Sequence, residues 1–93
     1  MRLNILYISP YLPCFGKSGA QSKMFEELQM LTKENFVFLV CFCVSEEKDS
    51  VGLLRDMGCR VYPVFIKNYA RIPRNNRDFS KAVHFLIESE KID

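Results

Sequence analysis

The chain has 93 residues, 48% of them hydrophobic and 26% charged, with a formal net charge of +2. That length allows one small domain burying about 60–70% of its unfolded surface, and the charge is too small to argue for a nucleic-acid partner. The longest apolar run, Phe36 to Val44, falls well short of the ~20 residues that span a bilayer, and Asn4, Pro10 and Pro13 interrupt the N-terminal stretch before a secretory segment forms. A cytoplasmic location is therefore expected. Cys14, Cys41, Cys43 and Cys59 contain no C-x-x-C pair and the single His84 lies far from them, so no metal is expected and the cysteines read as buried reduced thiols.

Leu3 to Ser9 is apolar and bounded by Pro10 and Pro13, the pattern of a strand buried on both faces. Pro10 to Gly19 reads as loop. A helix begins near Ser18, where Ser18 and Gln21 fit a capping box, and Met24, Phe25, Leu28 and Leu31 form its apolar stripe against a wet side of Lys23, Glu26, Glu27 and Lys33. Phe36 to Val44 reads as the most enclosed strand, Ser45 to Asp49 as a polar turn, and Ser50 to Met57 as a helix stopped by Gly58. Arg60 to Ile66 is a third strand, placed at a sheet edge by Pro63. After a basic connection to Arg77, the positions of Phe79, Val83, Leu86 and Ile87 predict a last helix to about Glu90.

The order βαβαβα predicts an α/β, Rossmann-like three-layer unit with a parallel sheet in the order 3-2-1. That order leaves the first strand on an open edge, although it is central in complete doubly wound folds. The expectation is that the chain, residues 1–93, stops where a fourth strand would begin, and that the open edge favours self-association.

Gly16, Lys17, Ser18 and Gly19 sit where such folds handle anions. A Walker A loop would require glycine at position 11, where Tyr11 stands, and no third glycine completes a dinucleotide fingerprint. What remains is a glycine-bearing loop that brings backbone N–H groups and Lys17 to a phosphate at a helix start. The alternative is that both glycines serve only the turn and the cap.

The segments Leu3-Asn-Ile-Leu-Tyr-Ile-Ser-Pro-Tyr-Leu-Pro13, Gly16-Lys-Ser-Gly-Ala-Gln-Ser-Lys-Met-Phe-Glu-Glu-Leu28 and Phe36-Val-Phe-Leu-Val-Cys-Phe42 resemble the N-terminus of GT-B glycosyltransferases of the family 4 type. Leu53 to Pro63 and the closing Lys91-Ile-Asp93 resemble the family's third strand and its entry to the fourth. The resemblance implies two Rossmann-like domains facing a cleft, this one on the acceptor side and a second that binds a nucleotide-diphosphate sugar without a tightly bound cofactor. It also implies that the loop from Gly16 to Gly19 faces the cleft. Ser18 stands where the family has the first of two glycines, and Gln21 where it has glutamate. The donor motif and cleft histidine of the family have no counterpart here, and His84, between Val83 and Phe85 on the last helix, reads as structural.

Tyr11 and Phe15 lie in the loop where aromatic rings could stack on a sugar, and together with Gln21 they are candidate acceptor contacts. Tyr7, Phe36, Phe38 and Phe42 read as core. Lys67, Arg71, Arg74 and Arg77 read as solvated charges that could instead grip an anionic acceptor or the inner face of a membrane. No residue of this chain is assigned a catalytic role. Two functions remain open: the acceptor-side portion of a sugar transferase, inactive without its donor site, or a small α/β module that binds a phosphorylated ligand or a protein partner without catalysis.

Overall fold

A computed structural model describes residues 2–14, 18–69 and 77–93. Three strands, β1 (Asn4–Ser9), β2 (Phe36–Cys43) and β3 (Cys59–Phe65), form one parallel sheet in the order β1-β2-β3. The connecting helices are α1 (Gly19–Glu34) and α2 (Lys48–Asp56), the latter entered through a 3-10 turn at Ser45–Glu47, and α3 (Arg77–Ser89) follows β3. The chain is thus the α/β, Rossmann-like unit expected from its sequence.

Alternation along β2 divides the interior. Val37, Leu39, Cys41 and Cys43 face one side, where they pack with Leu28 of α1, Val51 and Leu54 of α2, and Cys59 and Val61 of β3. Phe38 and Val40 face the other side, where Leu86, Phe79, Ala82 and Val83 of α3 cover them. Residues buried on both faces are what a central parallel strand demands, which explains why β2 is apolar without interruption. The four cysteines are buried free thiols rather than disulfides, three of them, Cys41, Cys43 and Cys59, within the first of these layers. Burial pushes Cys43 up to about 11 and Cys59 up to about 12, and it pushes Cys41 up further.

Phe36 departs from its expected place in the core: it is 44% exposed at the first position of β2, with the Arg2 guanidinium 5.1 Å above its ring. Phe38 and Phe42 are buried as expected, and Tyr7 is partly buried, its hydroxyl donating to Glu27 at 2.7 Å. His84 is exposed on α3.

The two sheet edges differ. In a parallel ladder alternate residues bond to the neighbouring strand and the others point away. The bond from Ile66 N–H to Cys43 O places the even residues of β3 towards β2, so Pro63, which has no N–H to offer, lies on the outer edge. Arg55 of α2 covers that edge further by donating to Val61 O at 3.0 Å. At the other end, the bond from Phe36 N–H to Leu3 O turns the odd residues of β1 inward and leaves Asn4, Leu6 and Ile8 outward. Asn4 is held by the C-terminal residues: its N–H donates to Asp93 Oδ2 at 2.6 Å, and its carbonyl accepts from Asp93 N–H at 2.9 Å. Its side-chain amide donates to Glu90 O at 3.0 Å. Ile8, at the far end of this edge, is 52% exposed.

Candidate functional site

The site is built where β1 ends and α1 begins, at the carboxyl end of the parallel strands, which is where open α/β sheets place ligands. Ser9 is buried and closes a tight turn, its Oγ accepting from Tyr11 N–H at 3.1 Å and lying 2.6 Å from Tyr11 O. The same hydroxyl lies 3.0 Å from Met24 Sδ of α1. Beyond the turn the loop plunges inward. Leu12 is fully buried in the core and Pro13 is among the most enclosed residues, so this segment is anchored more deeply than a proline-rich loop suggests.

Ser18 is the N-cap of α1, its Oγ accepting from Gln21 N–H at 3.1 Å in an extended backbone conformation. The reciprocal half of the expected capping box is absent, because the Gln21 side chain bonds the Ser18 hydroxyl rather than its backbone N–H and sends its amide inward. Its Nε2 donates to Leu12 O at 2.8 Å and to Glu47 Oε2 at 2.9 Å, while Oε1 accepts from Ser18 Oγ at 3.1 Å. Gln21 is 7% exposed, and the structure thus gives this candidate acceptor contact an inward, structural set of bonds.

Gly19, the first residue of α1, is exposed, and a Cβ built on it would meet nothing within 4 Å. No acidic residue lies in the first turn of α1. Tyr11 is 37% exposed, with its ring 5.1 Å from that of Tyr69 in an edge-on arrangement. Ser18, Gly19 and Tyr11 therefore belong to the carboxyl end of the sheet with their surfaces open. Phe15, Gly16 and Lys17 of the same loop, and Arg71 and Arg74 of the basic connection, lie outside the described residues. Lys67 and Arg77 are exposed.

Two residues at this end escaped the sequence reading. Glu47, assigned to a solvated turn, is 3% exposed, and its carboxylate accepts from Gln21, from Tyr69 OH and from Val44 N–H at 3.2 Å. Cys14 Sγ lies 3.9 Å from it. Tyr69, assigned to a connection without a core, accepts from Leu12 N–H at 3.1 Å and lies 3.2 Å from Phe42 O. Burial, reinforced by the bond to Glu47, pushes its phenol well above the ordinary tyrosine value. A glutamate three residues past Val44 does have the spacing that lets a side chain reach back to a backbone N–H. Valine at the first position hides that signal. In dinucleotide folds an acid past the second strand binds a ribose, but both oxygens of Glu47 are engaged by protein groups.

Among the described residues no group of His, Cys, Asp and Glu is arranged to hold a metal ion, and no helix is long and apolar enough to cross a membrane. Comparison with protein-family profiles, with curated proteins and with solved structures found no match. The functional reading accordingly stands on the residues themselves.

Proposed function

We propose that this chain is the acceptor-side unit of a GT-B-type sugar transferase, and that the loop ending at Gly19 receives a phosphate-bearing or otherwise anionic group of the reacting pair. One observation carries the reading. Gly19 opens α1 directly behind the Ser18 cap, following β1, with open space where a side chain would stand and no acidic residue in the turn. N–H groups at a helix start bind an anion best when no side chain stands in the way, which favours glycine there. The exposed Tyr11 ring, two residues past the end of β1, supplies an apolar face of the kind that packs against a sugar.

The nucleotide-diphosphate sugar belongs, in this reading, to a donor domain outside these residues. The described residues offer no paired charges to clamp a diphosphate and no general base in reach of the loop. The purified chain should therefore leave UDP-glucose intact. Hydrolysis or transfer above a buffer blank would show that a donor site has been overlooked.

A second reading is favoured by the open β1 edge, where the backbone groups of Leu6 and Ile8 face outward and the Ile8 side chain is exposed: a small module that binds a phosphorylated ligand at the loop, or a protein partner along the β1 edge, without catalysis. Adding a donor domain from a GT-B enzyme would not produce transfer in that case.

A further inference from the structure

Glu47 is the one acidic residue in the buried set among the described residues. Its two oxygens serve two side chains from distant parts of the chain, Oε2 accepting from Gln21 of α1 and Oε1 from Tyr69 beyond β3. Those two side chains then converge on a single residue. Gln21 Nε2 donates to the Leu12 carbonyl and the Tyr69 hydroxyl accepts from the Leu12 N–H. The two protons of the Gln21 amide go to Leu12 O and Glu47 at the shortest distances, with Cys14 Sγ farther off at 3.5 Å, and the Tyr69 hydroxyl directs its one proton to Glu47, with Phe42 O at 3.2 Å, while a lone pair receives Leu12 N–H. The Leu12 side chain is sealed into the core on its remaining side. A leucine needs only the core to be tethered. Fixing both of its peptide groups in addition also fixes the direction in which the chain leaves it.

We infer that Glu47 is a positioning residue for the start of the β1–α1 loop: by holding Gln21 and Tyr69 in the pose that grips the Leu12 peptide, it sets the course of the chain at Leu12 and ties it to Gln21 in the first turn of α1, where the phosphate-bearing ligand is proposed to sit. It also stations the Tyr69 ring against which Tyr11 stands. This inference rests on the proposed reading of the loop as a ligand site. Buried networks of this kind are stiff when every member is satisfied and disruptive when one is removed.

The test uses the 93-residue chain, its Glu47→Gln and Tyr69→Phe variants, amide hydrogen exchange by NMR, and titration with inorganic phosphate. Glu47→Gln places an amide donor where two donors already point, and Tyr69→Phe removes the acceptor of Leu12 N–H. Exchange at Leu12 should accelerate about tenfold or more in each variant, as for a buried amide that loses its partner. The β2 amides of Leu39 and Val40 should stay as protected as in the parent. Phosphate affinity should fall in both variants, measured at a temperature where each remains folded, although the orphaned buried donor also lowers their melting temperatures. Unchanged exchange at Leu12 in a folded variant would overturn the positioning role. If Glu47→Gln does not fold, Tyr69→Phe, which keeps the ring and its packing, decides by the same exchange measurement. If the parent binds no phosphate, the ligand-site reading fails, while the exchange data still judge the role of Glu47 in the loop.

Discussion

Gly19 and Ser18 are neighbours with opposite expected consequences. Gly19 lies outside the left-handed region, which among the described glycines only Gly58 occupies, and a side chain there meets open space. Gly19→Val should thus leave the melting temperature nearly unchanged yet weaken anion binding strongly, because the branched side chain fills the approach to the backbone N–H groups. Ser18→Ala removes the cap of α1 and should cost about 1 kcal/mol in stability with little loss of binding. Denaturant melts and phosphate titrations of the two variants separate these effects. The buried thiols make a further prediction. The raised values of Cys43 and Cys59 mean that both stay protonated in the folded chain while the unfolded chain ionises near 9.0, so the stability they contribute is complete below that pH. It is lost as the pH rises through about 11 to 12. Melts should show a decline across that alkaline window, and a flat profile would contradict the buried placement of the thiols. Spacing revealed Ser18 as a cap because a cap is local. The burial of Gln21 and Glu47 was not legible because the bonds that hold them, to Leu12, to Tyr69 and to one another, join residues well apart in sequence, and nothing in a polar Ser45–Asp49 stretch distinguishes a solvated acid from a buried one.

At the scale of elements, most of the architecture was legible because periodicity and punctuation agree. The uninterrupted apolar run of β2 signals burial on both faces, and Pro63 points to an edge, which β3 occupies with the proline facing outward. Gly58 ends α2 at φ +104, a conformation that costs an L side chain strain even where space is open. Gly58→Ala should destabilise the chain by roughly 1 kcal/mol, seen as a lower denaturant midpoint with an unchanged slope. Phe36 was misread for a related reason. The rule that aromatic strand residues are core holds inside an element, and Phe36 sits at its first position, where it stays 44% exposed beneath the Arg2 guanidinium.

For the whole molecule, the asymmetry of the sheet edges matters most. The β3 edge is blunted by Pro63 and Arg55, whereas among the described residues the β1 edge is paired at Asn4 by the C-terminal turn, leaving the backbone groups of Leu6 and Ile8 outward and the Ile8 side chain exposed. Exposed apolar edges invite pairing with another chain, and a lysine on such an edge suppresses it. Concentration-dependent association should appear in sedimentation and should diminish in Ile8→Lys. A parent that stays monomeric at high concentration would show the edge to be innocuous.

The central claim is that the turn from the β1–α1 loop into α1 receives an anion, and amide chemical shifts read it directly. Titrating the parent and Gly19→Val with inorganic phosphate should move the amides of Ser18, Gly19, Ala20 and Gln21 in the parent with saturating curves. In a folded Gly19→Val chain the same amides should not respond. Equal shifts in both proteins, or shifts confined to residues elsewhere, would contradict the claim and leave the glycine with a turn to make and nothing to bind.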